Sequence, residues 1–163
     1  MYTDWGRGGQ VGEASSRPVR SKMERKGHVL RMLESENKLW IATASDDGSA
    51  HLVPFSFVWD GERIVAATSE RSPAARNARR TGRARVALGT FGDVVLIDAS
   101  ATVTGYGGID TDVAERLAQV SALDGRSSPS VAYLQLTPWR VQTWWSLQEL
   151  AKPTIMRGGR WLA

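Results

Sequence analysis

The spacing of apolar positions changes from helical to strand-like near residue 38. Before it, Met23, Val29, Leu30, Met32 and Leu33 recur at helical intervals, predicting a helix over about 24–36 that Gly27 interrupts. After it come short apolar runs bounded by turn residues, predicting strands at 39–44, 50–59, 63–68, 84–89 and 94–104. Two further strands, 131–136 and 140–145, are expected on either side of Pro138. Asp46-Asp47-Gly48 and Asp60-Gly61 supply the turns on either side of the second strand. A short helix is expected from Pro73, and another over 110–121, where Val113, Leu117 and Val120 fall on one face.

Antiparallel strands of this number, with short interrupting helices, predict a mainly β, α+β fold. Closure into a small barrel is the expected solution, because it removes the exposed sheet edges. A chain of 163 residues has room for one such domain, assigned to 21–163, behind an arm at 1–20 that is rich in glycine. Gly6, Gly8 and Gly9 do not make a dinucleotide fingerprint, since Val11 stands where the last glycine is needed.

Composition narrows the chemistry. No apolar run approaches the roughly 20 residues that cross a bilayer, and the first twenty residues are polar, so a cytoplasmic protein without membrane contact is expected. The chain has no cysteine, which removes disulfides, thiol catalysis and cysteine-ligated metal together. There is no Gly-x-Ser-x-Gly elbow, and His28 and His51 are the only histidines. Neither has a partner at metal-ligand spacing, so no metal site is expected, and no catalytic side chain can be named. Asp110 and Asp112 suit the start of a helix rather than a metal pair.

The charge is uneven. Six arginines and no acid lie between Arg71 and Arg85. No aromatic residue interleaves them as a base-stacking platform requires, which argues against nucleic acid. A solvated helix face and an anion-binding face both remain open. Within this stretch Ser72 is a good N-cap, Pro73 suits the first helical position, and Gly82 supplies the stop. The helix N-terminus follows directly on a strand ending near Thr68. Its free N–H groups, with the Thr68 and Ser72 hydroxyls and Arg71 or Arg76, would suit an anion such as phosphate. The same residues also suit a capped connector helix with no ligand.

The segment LWIATASDDGSAHLVPFSFVWDGERIVAATSERSPAARNARRTGRARVAL resembles the pyridoxamine-5′-phosphate oxidase-like superfamily, and most closely its flavin and deazaflavin oxidoreductase branch. The motifs ATxxxDGxxHxVP, WDG and SPxARNxRxTGRxRVAL carry the likeness over roughly 39–101, with weaker echoes in LTPWRVQTWW and MRGGRWL. The resemblance implies a split β-barrel homodimer with cofactor at the subunit interface. The cofactor ring would lie along Val53, Pro54, Phe55 and Ser56. Its phosphate would be held by Thr68, Arg71, Ser72, Pro73, Ala74, Arg76 and Asn77. Many FMN-binding members have an Arg-Lys pair after the serine, where this chain has Pro73-Ala74, which leaves the charge to Arg71 or Arg76.

On this basis the expected function is hydride transfer from F420 or FMN to a conjugated small molecule. A non-catalytic flavin- or haem-binding protein and a pyridoxamine-5′-phosphate oxidase are the alternatives. F420 is favoured over FMN, because its polyanionic tail could run along Arg71, Arg76, Arg79 and Arg80. His51, beside the ring strand, and Trp144, in the late tryptophan cluster, are candidates for the substrate side. The leading expectation for each is structural: a packed or hydrogen-bonded His51, and core packing or the dimer interface for Trp144.

Overall fold

Ser21 opens the first helix of the computed structural model, which describes residues 17–163. Its Oγ accepts the Glu24 N–H at 3.2 Å while the Ser21 N–H donates to Glu24 Oε2 at 2.7 Å. This reciprocal cap starts α1, Lys22–Ser35. The helix runs unbroken through Gly27. A glycine there costs about 1 kcal/mol, and the cap together with burial of Val29 and Leu33 outweighs it.

The strands follow the expected order: β1 Lys38–Ala44, β2 Ala50–Trp59, β3 Ile64–Ser69, β4 Arg83–Thr90, β5 Asp93–Thr104, β6 Val131–Trp144, β7 Thr154–Arg157 and β8 Arg160–Trp161. Between them lie α2 Pro73–Thr81, a single 3-10 turn at Tyr106–Gly108, α3 Thr111–Val120 and α4 Leu147–Leu150. All pairings are antiparallel, in the order β3-β2-β1-β4-β5-β6-β7-β8. Pairing of β3 with β6 from Ile64↔Leu136 to Ser69↔Val131 closes six of them into a barrel. The expected mainly β, split-barrel α+β fold is therefore the fold observed.

Alternation decides which residues fill the barrel. Leu39, Ile41, Phe57, Ile64, Val86, Ile97, Leu134 and Val141 point inward and are buried, with Ala74 and Ala78 of α2 packed against them. On the outside, α3 lays Val113 and Leu117 over Val65, Ala67 and Tyr133 to form a second, smaller cluster.

Pro138 does not end a strand. β6 is continuous, with a register shift opposite Asp98/Ala99 that leaves Trp139 unpaired. The reason is positional: Leu136 is the last β6 residue paired to β3, and Arg140 is the first paired to β7. Pro138 sits in the gap, where its missing N–H removes no ladder bond on that side.

Of the arm expected at 1–20, the first sixteen residues lie outside those described. The last four lie on the domain. Arg20 donates from its backbone N, Nε and Nη2 to the buried Glu149 at 2.8, 3.0 and 2.8 Å, and its guanidinium lies 3.6 Å over the Trp145 ring. Among the described residues no helix is long and apolar enough to cross a membrane.

Candidate functional site

The junction of β3 and α2 is built as a hydroxyl relay. Thr68, buried at the end of β3, donates from Oγ1 to Ser72 Oγ at 2.9 Å. Ser72 Oγ in turn accepts the Ala75 N–H at 3.0 Å, capping α2. Ser72 thus keeps its own hydroxyl hydrogen for another acceptor. The Ala74 N–H, in the first turn, has no carbonyl behind it in the helix, and Pro73 has no N–H to satisfy. Gly82 closes the far end with φ +63°, a left-handed conformation that favours glycine.

The arginines of this region divide into two sets. Arg79 pairs with Glu70 at 2.6 Å and donates to the Glu70 carbonyl at 2.9 Å. Arg80 pairs with Asp46 and donates to the Ala44 carbonyl at 2.9 Å. Both are therefore used inside the chain to fasten α2 to its neighbouring loops. Arg76 donates to the Arg71 carbonyl, folding back over the first turn. The Arg71 side chain is exposed and has no hydrogen-bonded or ionic partner among the described residues. The continuous row of four available arginines expected from the spacing is thus reduced near the anion seat to Arg71 and Arg76.

Asn77 plays another part. It is buried, and its Nδ2 donates to Thr43 Oγ1 at 3.1 Å, tying α2 to β1. Ala74 is packed in the barrel core.

On β2 the ring candidates fall on two faces. Val53 and Phe55 share the inward parity of Phe57, whereas Pro54 and Ser56 point outward beside Trp40 and Lys38 of β1, their cross-strand partners. A flat group on the outer face can meet the Pro54 and Ser56 side chains but only the backbone of the other two. Lys38 Nζ donates to Ser56 Oγ. His51 has the inward parity and Trp144 the outward parity of Arg140, so the structure does not bring these two candidates to one face.

A cleft that the sequence reading did not find lies on the outer sheet face, at the C-terminal end of α2. It encloses about 490 Å³, and Thr43, Thr81, Arg83, Arg85, Asp98 and Arg140 are among its lining residues. Asp98 is gripped from both sides, by Arg85 Nε at 2.6 Å and Arg140 Nε at 2.5 Å. Burial would raise its carboxyl pKa, but these two charged hydrogen bonds outweigh burial and hold it below the usual carboxylate range. The signal was Arg85 and Asp98 on successive strands, legible only once Arg85↔Asp98↔Arg140 are known to lie in one row. Among the described residues no group of three His, Asp or Glu side chains is placed to hold a metal.

Solved structures share this fold. General stress protein 26 from Bacillus anthracis is 13% identical with a TM-score of 0.59, the match covering 74% of this chain and 94% of that one. A pyridoxamine 5′-phosphate oxidase-related, FMN binding protein from Nostoc punctiforme is 14% identical with a TM-score of 0.54, covering 83% and 88%. An F420 reductase is likewise 14% identical with a TM-score of 0.55, covering 68% and 93%. Likeness at these identities carries the fold alone. No curated protein matches the sequence. The family model described as pyridoxamine 5′-phosphate oxidase matches residues 26–145, which include all six strands of the barrel. With six strands closed in a split barrel and that model covering most of the sequence, the chain belongs to the pyridoxamine 5′-phosphate oxidase family.

Proposed function

We infer that this protein is an oxidoreductase that holds a flavin-type cofactor between two copies of the chain and acts on a small conjugated substrate. The observation that carries the reading is the Thr68–Ser72 relay, which leaves a free hydroxyl hydrogen and a first-turn amide at one helix N-terminus, next in sequence to Arg71, whose exposed side chain has no ionic partner among the described residues. These donors fit one phosphate group. The helix end and the cation attract it, and the Ser72 hydroxyl orients it.

The ring would lie on the outer face of β2, against Pro54 and Ser56. When bound, it supplies the electron-accepting and hydride-transferring chemistry itself. The protein's part is to bind and orient it. Lys38, joined to Ser56, puts a positive charge beside that face. The outer face of β1 and β2 leaves Trp40 49% and Leu52 57% exposed, which a second copy would cover. The large cleft lies on this same outer face, through the row Leu52–Ala42–Arg85–Asp98–Arg140, so a partner chain would wall it.

The internal pairing of Arg79 and Arg80 favours a ligand gripped at one point, FMN, over one with a long polyanionic tail. Titration of the purified protein with FMN and with F420, followed by flavin fluorescence, tests the reading. FMN is expected to bind with at least tenfold higher affinity than to the Arg71→Ala variant. Failure to bind either cofactor overturns it.

A further inference from the structure

A second cleft, of about 270 Å³, lies at the other end of the barrel from α2. β3 begins beside it and ends at α2, a run of six residues spanning roughly 17 Å. None of its lining residues belongs to the Thr68–Ser72 seat or to the larger cleft.

The cleft exists because the sheet divides there. β6 leaves β3 after Leu136 and takes up β7 at Arg140, and the hairpin of β7 and β8 diverges from the barrel. Leu33, Ile97, Val141 and Met156 of the buried core form the floor, so the barrel interior can be reached from outside here. Two half-buried indoles, Trp59 and Trp161, line it as well. Lys26 Nζ lies 5.4 Å over the Trp161 ring, which also packs against the core. Glu62 is the only charged lining residue, on the exposed β2–β3 turn, and no ion pair engages it among the described residues.

We propose that this cleft is a second small-molecule site, selective for an uncharged, flat molecule of one or two fused rings. The size fits, since an apolar cavity of about 150 Å³ is enough for benzene. The lining fits as well: aromatic walls offer stacking surface, and a charged group held against the apolar floor would be taken out of water, with Glu62 the one charge in the lining and Lys26 over the Trp161 ring. Thr137 and Pro138 line this cleft while Trp139 and Arg140 line the larger one, so the two share strand β6. Gly159 of the hairpin donates to the Trp139 carbonyl at 2.9 Å across the same junction.

Ligand-observed NMR and calorimetry with three probes test the site: indole, indole-3-acetate and tryptamine. Indole is expected to bind measurably, and each charged analogue at least fivefold more weakly. Trp161→Ala should weaken indole about tenfold, and Trp161→Phe, which keeps an aromatic ring against the core, should restore most of that affinity with a melting temperature near that of the parent. Glu62→Gln should leave indole unchanged and separates the rim charge from the apolar lining. Saturating FMN should not displace indole. Displacement by FMN, equal binding of all three probes, no indole binding at millimolar concentration, or unchanged indole affinity in Trp161→Ala overturns the proposal. These results stand whether or not FMN is the cofactor.

Discussion

Asn77 Nδ2 donates to Thr43 Oγ1 at 3.1 Å inside the protein, joining the middle of α2 to β1. Both side chains are buried, so removing one leaves the other unsatisfied. Asn77→Ala is expected to lower stability by about 1–3 kcal/mol, and Thr43→Val by a similar amount. The double variant should lose less than the sum. Chemical denaturation of all four proteins measures this coupling, and additive losses would refute it.

Ser72 has two separable roles. Ser72→Ala should cost about 1 kcal/mol of stability with or without ligand, because a helix cap is lost. It should also weaken FMN, because the remaining hydroxyl hydrogen is lost. Arg79→Ala, which breaks a pair inside the chain, should leave FMN affinity within twofold of the parent. Equal weakening by Arg79→Ala would move the seat toward the middle of the helix.

The outer face of β1 and β2 supports a prediction about assembly. Light scattering should return twice the 17.8 kDa chain mass at micromolar concentration. Leu52→Glu, in the middle of the exposed face, should shift that mass toward one chain and weaken FMN with it. A monomeric parent protein that still binds FMN would separate the cofactor seat from any interface.

Acid should destabilise the protein through Asp98 and Glu149. At Glu149, burial would raise the carboxyl pKa, but the hydrogen bonds from Arg20 and the Trp145 amide outweigh it and the pKa lies below its ordinary value. Asp98 behaves alike between Arg85 and Arg140. A folded pKa below the unfolded one, about 4 for carboxyls, gives stability that is complete above that pH and lost as pH falls through the folded values. Melting temperature should therefore be level near neutrality and drop below about pH 4. Asp98→Asn should be less stable at pH 7 and show a shallower acid decline. An unchanged acid slope would mean that Asp98 contributes little.

Salt distinguishes the cofactors. One phosphate held by Arg71 and the helix end should bind FMN with a weak dependence on ionic strength. A polyanionic tail spread over several arginines should bind far more weakly at high salt. Titrations of FMN and F420 at low and high salt give the comparison, and tighter, steeply salt-dependent F420 binding would restore the deazaflavin reading.

Local rules settled much of this molecule in advance. The alternation of β2, the turn at Gly61 and the Ser72-Pro73…Gly82 frame of α2 need only near neighbours, and each element formed within a residue or two of where its pattern lay. The family motifs also lie in this contiguous stretch, so fold and family could be read together. What the one-dimensional pattern could not carry was pairing. Pro138 looked like a break because its tolerance depends on which strands flank it in space. The short β7 and β8 have too few residues for a periodic signal and exist only because β6 offers them an edge. The arginines near α2 were indistinguishable in sequence. Only the approach of Glu70 and Asp46 decided that Arg79 and Arg80 fasten the fold while Arg71 stays available. The Arg85–Asp98–Arg140 row and the Trp59–Trp161 cleft likewise join residues tens of positions apart. Their contacts depend on strand register, and register is fixed only when the whole barrel closes.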